Sequence, residues 1–288
     1  MTTAVAASES ATDLTRTLRA QARRSVLRAL LWSVVNFVGT IVAVIVLWAG
    51  ALSLLNVSKF VAKGPLDVWN YLFVVPAAAT NRDKIFATIG ETLAHSVVGF
   101  IAGLLVALVG AMIFQLSKGA EHALMPIAML LRSVPLVAMA PVIILIFGRE
   151  VWSIAVIGGI VVLFPALVNI SFGLKSAAPQ MNDLVTVYGG GSFARLMKVA
   201  MPSSLPAFFA AVRISVPGAI TGALLAEWLA VGGGVGGSIG GYLSQAQYNA
   251  VWASIAGVTA VALVLYNVIQ IIENVVLARM GMQGQRGV

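Results

Sequence analysis

Long apolar runs broken by short polar segments dominate the chain. The runs are Leu30–Leu55, Thr92–Phe114, Ala123–Phe147, Val151–Leu174, Leu205–Leu229 and Val251–Leu277, each longer than twenty residues. A helix needs about 20 mostly apolar residues to cross about 30 Å of hydrocarbon. With no water in that layer, a spanning segment must satisfy its own backbone. The pattern therefore predicts an all-α polytopic membrane protein with six transmembrane helices.

The polar segments divide the chain. Residues 1–29 form a basic N-terminal segment, in which Arg16, Arg19, Arg23, Arg24 and Arg28 are spaced for one face of a surface helix. Residues 30–91 hold the first run and a mixed segment. Trp69 and Tyr71 mark a short interfacial helix there, around Val68–Val75. Residues 92–277 form a core with a polar loop at 175–204, and residues 278–288 a polar, basic tail. Gly99 and Gly103 make a small-x3-small pair suited to close helix approach. Pro135 and Pro141 are expected to unwind or kink the third run.

Composition agrees with lipid as part of the solvent. Of 288 residues, 60% are hydrophobic and 10% charged, against about 25% charged in soluble domains. The mean hydropathy is +0.98. A net charge of +8 would suggest nucleic acid in a soluble protein. Here it is read as asymmetry across a bilayer, with no nucleic-acid partner. Six spans with both termini in the cytoplasm place Lys118, Lys175, Arg195, Lys198, Arg279, Arg286 and the five N-terminal arginines inside. Lys59, Lys63, Arg82, Lys84 and Arg149 fall outside. That excess of inside positive charge favours this orientation over its inverse. The polar N-terminus lacks the apolar core and cleavage site of a secretory leader, so none is expected.

The same residues exclude several chemistries. The chain has no Cys, and its two His, His95 and His122, are far apart, so no metal site or metal cofactor is expected. Val231–Gly237, VGGGVGG, has no following Lys and is not a phosphate loop. It reads as a flexible or tightly turned loop on the outer side. No residue set supports catalysis. Glu227 is the ionisable residue of note near a span end, where an unpaired charge is costly. His95 reads as a hydrogen-bonded residue at a helix interface, and Arg132 and Arg213 as residues reaching for the interface.

The most informative stretch is Asp183–Pro202, DLVTVYGGGSFARLMKVAMP. Pro179 can start a short helix reaching Tyr188. Gly189-Gly190-Gly191 can turn the chain. Ser192 can cap a second helix, Phe193–Met201, that Pro202 helps to end. Phe193, Leu196, Met197 and Val199 could bury against a partner, with Arg195 and Lys198 at the rim. This layout resembles the coupling loop of ABC-importer permeases, E-A-A-x3-G-x9-I-x-L-P. Asp183 stands at Glu, Gly189 at Gly, Val199 at Ile, Met201 at Leu and Pro202 at Pro, while Leu184 and Val185 replace the two Ala. Leu130–Gly148, LLRSVPLVAMAPVIILIFG, is similar to a stretch of the nitrate, sulfonate, taurine and bicarbonate branch.

The resemblance implies a non-catalytic type I permease subunit in the cytoplasmic (inner) membrane, with ATP hydrolysis in a separate chain. It implies as partners a cytoplasmic ABC ATPase dimer, an extracytoplasmic solute-binding protein and a second permease copy. Asp183, Tyr188, Gly189, Phe193, Arg195, Lys198 and Pro202 would couple to the ATPase. Pro135, Met139, Pro141 and Glu227 are candidates for the translocation path. The branch suggests a small anion, while Glu227-Trp228-Leu229 leans toward relatives that carry thiamine-precursor pyrimidines, and riboflavin permeases look similar. An ATP-independent carrier would need buried carboxylates for ion coupling, of which the runs offer few.

Overall fold

A computed structural model of the chain describes Val35, residues 38–55 and residues 57–280. The expected basic helix through Arg16–Arg28 and the end of the tail lie outside these residues. Helix α1, Val38–Leu54, is apolar and belongs to a first unit that ends at Val57. The second unit, Ser58–Val288, holds everything that follows.

In the second unit α2 (Pro65–Trp69) passes into a π-helical turn, Asn70–Val74. Then come α3 (Ala78–Leu116), α4 (Lys118–Ser133), α5 (Leu136–Phe147), α6 (Val151–Lys175) and α7 (Pro179–Val187). Helix α8 (Ser192–Arg195), a π turn at Leu196–Ala200 and α9 (Met201–Ser203) follow. Helix α10 (Leu205–Ala226) continues through a π turn at Glu227–Val231, before α11 (Gly234–Ser244) and α12 (Tyr248–Arg279). Among the described residues, four helices are long and apolar enough to cross a membrane: α3, α6, α12 and α10 with its π turn. The α4–α5 pair is a fifth if taken as one broken span, bent by 104°.

That break sits where Pro135 predicts it. Pro Cδ disfavours helical backbone at the preceding residue, and Val134 is extended at φ −75°, ψ 126°. Pro141 stays inside α5 without breaking it. The third run is thus two helices meeting at a sharp corner rather than one kinked helix.

Three helices form the centre. Gly99, Gly103 and Gly110 of α3 meet Gly158, Val162 and Leu167 of α6 in turn, so these two run parallel. Gly222, Gly218 and Ala207 of α10 meet Gly158, Val161 and Gly173, so α10 runs antiparallel to them. A Cβ on either Gly99 or Gly222 would lie 2.8 Å from Gly158 Cα. Hydrocarbon offers no hydrophobic drive for helices to associate, so close backbone approach supplies the attraction.

Helix α3 begins fourteen residues before the apolar run predicts. Arg82, Asp83, Lys84 and Glu91 read as loop residues, yet they lie on a continuing helix whose Ala78, Ile85, Ile89 and Thr92 are buried. That spacing of seven, four and three is one helical face. The Gly-rich segment also differs from the expected loop. Gly232 and Gly233 turn the chain and α11 follows directly.

Candidate functional site

Two constructions stand at opposite ends of the bundle. The first is the polar island. Helix α7 starts at Pro179 and is capped at Tyr188. Gly190 N–H donates to Val185 O at 2.8 Å, and Gly189 N–H to Thr186 O at 2.9 Å. This paired pattern closes a helix with its next residue in left-handed backbone. Gly189 takes that position at φ +81°. The turn then delivers the chain into α8.

The second helix departs from expectation in three ways. Gly191, not Ser192, is its N-cap, and Arg195 N–H donates to Gly191 O. Ser192 Oγ instead accepts from the Arg195 guanidinium at 3.0 Å. Pro202 does not end the helix. It sits in the first turn of α9, just past a π turn, where a missing N–H is tolerated.

The third departure is which side chains are free. Leu196, Val199 and Ala200 are buried in the chain's own interior. Leu196 and Ala200 pack with Ala111, Phe114, Ile170 and Leu174 at the ends of α3 and α6. Leu196 and Val199 therefore anchor the island to the bundle and cannot bury against a partner. Phe193 is 62% exposed, and Met197 is also exposed. Met181, Leu184 and Val187 of α7 join them, as does Tyr188, with Val187 and Tyr188 each 83% exposed. The spacing of Met181, Leu184 and Val187 was the available signal for this outward face. Asp183 and Lys198 are exposed beside it, and Arg195 is half-buried. Lys175 and Glu121 add an ion pair between α6 and α4 at the island's base.

The second construction is a buried clasp at the far end of α10. Glu227 is 1% exposed. Its Oε1 accepts from His95 Nδ1 at 2.8 Å. Its Oε2 accepts from Thr92 Oγ1 and from Gly236 N–H, both at 2.9 Å. Thr92 Oγ1 in turn accepts from Val235 N–H at 2.8 Å, and Glu91 Oε2 from Gly234 N–H at 2.7 Å. Two helices thus grip the first turn of α11, whose N–H groups have no intrahelical acceptor. The glycines permit it. Gly234 has φ +53°, and a Cβ there would collide with the Glu227 carboxylate. His95 and Glu227 are brought together, whereas Arg213 pairs elsewhere. Its Nη1 lies 3.0 Å from Glu273 Oε2 of α12, so Arg213 is one member of an ion pair between α10 and α12. Arg132 is exposed.

The other path candidates lie around the α4–α5 corner. Pro135 is the exposed N-cap residue of α5, and Pro141 is also exposed. Met139 packs against a cluster formed by Ala140, Ile143, Ile154, Ile157, Ala226 and Ala230. Among the described residues no three His, Asp or Glu side chains converge where a metal could sit.

Residues 86–281 match the family described as binding-protein-dependent transport system inner membrane components, and the chain belongs to that family. It is 28% identical over 152 residues to a "Probable ABC transporter permease protein" of Haemophilus influenzae, covering 51% of this chain and 62% of that one. It is 28% identical over 137 residues to the formylaminopyrimidine transport permease protein ThiX of Halalkalibacterium halodurans, covering 48% and 55%. It is 24% identical over 182 residues to the riboflavin transport system permease protein RibX of Chloroflexus aurantiacus, covering 63% and 66%. The chain thus spans between about half and two thirds of the length of these relatives.

Proposed function

We propose that this chain is the non-catalytic membrane subunit of an ATP-driven importer, and that the island is its handle for a cytoplasmic ATPase dimer. The observation that carries the reading is the island's two-sidedness. Met181, Leu184, Val187, Tyr188 and Phe193 face outward as an apolar patch. Leu196 and Ala200 root the same structure among α3 and α6. A partner that grips the outward side moves the helix ends on the inward side. Asp183, Arg195 and Lys198 supply polar contacts at the rim. Gly189 fixes the angle between α7 and α8, and Pro202 leads into α10.

In this reading the island end faces the cytoplasm, and the clasp end faces an extracytoplasmic solute-binding protein. A second permease copy completes the path, and alternating access follows from rocking of the two halves. The corner at Pro135 leaves Pro135, Met139 and Pro141 beside the path, and Glu227 holds its wall in shape by fixing α11.

Two solute classes are favoured by separate observations. The likeness of Leu130–Gly148 to nitrate, sulfonate and taurine permeases favours a small anion. The relatives named for formylaminopyrimidine and riboflavin transport, with Glu227-Trp228-Leu229, favour a nitrogen heterocycle. Uptake by the complete transporter of radiolabelled taurine against formylaminopyrimidine separates them.

The coupling reading is tested by co-purification with a co-expressed candidate ATPase, comparing wild type with Val187→Glu plus Phe193→Glu. Both side chains are exposed, so the chain should fold and insert as before. Loss of association is the expected result. Undiminished association would reject the island as the contact.

A further inference from the structure

We propose that a cavity at the clasp end of the bundle binds a small organic anion. This inference concerns a site away from both the island and the Glu227 clasp, and it stands without the import reading. The cavity is about 450 Å³, within the range of small-molecule pockets, about 300–1,000 Å³. Lys63, Lys84, Tyr71, Tyr242, Tyr248 and Asn81 line it with others, and no carboxylate does.

The walls come from four separate segments that are tied to one another. Asn81 Nδ2 of α3 donates to Tyr71 O at 3.0 Å, and the neighbouring Arg82 Nη1 donates to Leu72 O at 2.7 Å. Gln247 N–H, at the start of α12, donates to Tyr242 O of α11 at 2.8 Å. Trp252 Nε1 donates to Val61 O at 2.9 Å. The Phe60 ring meets the Tyr248 ring edge-on at 5.3 Å. The cavity is therefore a preformed feature of the folded chain, and preformed sites lose less entropy when a ligand binds.

Its chemistry is one-sided. Lys63 Nζ donates to Lys59 O at 2.9 Å, which holds the ammonium in place and leaves it further N–H donors. Neither Lys63 nor Lys84 is in an ion pair among the described residues. Burial, and then the nearby Tyr242 phenol, push the Tyr71 hydroxyl above its ordinary value, so it stays protonated and able to donate. Two cations without a counter-charge, and phenols beside them, call for an acceptor carrying negative charge. The tyrosine rings add apolar faces. Together these features fit a carboxylate or sulfonate on a compact, flat body.

The test titrates the purified full chain in nanodiscs with benzenesulfonate, and with neutral benzenesulfonamide of similar shape, by isothermal calorimetry. Saturable binding of the sulfonate and not the sulfonamide is expected. Lys63→Gln with Lys84→Gln should weaken it at least about tenfold, as loss of charge-assisted hydrogen bonds implies. Lys84→Glu serves as a second variant, because Lys84 is exposed and its replacement leaves the fold intact. It should weaken binding by a similar factor. Equal affinity for the sulfonamide, undiminished binding by Lys84→Glu, or no saturable binding up to about 10 mM, a very weak affinity, would each overturn the proposal.

Discussion

His95 Nδ1 and Glu227 Oε1 stand 2.8 Å apart although 132 positions separate them in the chain. The pair joins the middle of α3 to the π turn that continues α10, and the other carboxylate oxygen reaches on to α11. Glu227 is buried and satisfies three donors. Removing it leaves them all unpartnered, whereas removing His95 leaves two of the three bonds intact.

Glu227→Ala should therefore cost about 3–5 kcal/mol, the range for leaving a buried charged network half-made, and His95→Ala less. Hydrogen exchange gives the local reading. In Glu227→Ala the amides of Val235 and Gly236 should exchange much faster than in the wild type, while those of α6 keep their protection. Unchanged exchange at these two amides would show that the carboxylate does not hold α11.

Arg213 and Glu273 should behave as one unit. Either single replacement by Met removes one member of a pair in which Glu273 is buried and Arg213 half-buried, and should destabilise by about 1–3 kcal/mol. Replacing both with Met should cost less than either alone. Thermal unfolding in detergent of the two singles and the double supplies the comparison, and additive losses would mean the two charges are uncoupled.

Gly189→Ala should destabilise the island by about 1 kcal/mol, because left-handed backbone at φ +81° disfavours a Cβ. No atom crowds the position, so Gly189→Asn, a residue that tolerates this backbone, should recover most of the loss. Limited proteolysis at 186–192 reports the opening. Equal cleavage of Ala and Asn variants would contradict a conformational cause.

Gly158→Leu should abolish the close approach of α3 and α6, since a Cβ on Gly158 would lie 3.0 Å from Gly99 Cα. Gly90→Leu on the same α3 has open space around it and serves as the control. The expected result is aggregation or degradation of the first variant and near-normal yield of the second. Normal yield of both would mean the glycine contact is dispensable.

Much of this fold is legible in residue pattern, because a membrane span announces itself by local composition. The runs at 92–114, 151–174 and 251–277 each lie within one long helix of the structure, and the run at 205–229 lies within α10 and the π turn that continues it. The corner at Pro135 follows from a steric rule at Val134. What pattern reading misses is non-local. Nothing near Glu227 in the sequence points to His95, and nothing near Arg213 points to Glu273. The polar first turns of α3 read as a loop because charge marks a helix leaving lipid as readily as a helix ending. In the island, composition finds the Gly corner, but it cannot tell which apolar side chains turn inward. Leu196 and Val199 are as hydrophobic as Leu184 and Val187, and only the fold separates anchors from free surface.

Helix α3 runs 39 residues with no proline in it, about 58 Å at 1.5 Å per residue. Thr92, at the clasp, and Phe114, at the root of the island, lie on this one unbroken element. In the proposed coupling such a helix would serve as a connecting rod between the two. Thr92 and Phe114 are about 33 Å apart along it, so a swing of about 5° about the island end carries the clasp through about 3 Å. In the proposed coupling, a modest push at the island would reach the grip on α11 as a displacement comparable to a hydrogen-bond length, with leverage set by a single helix.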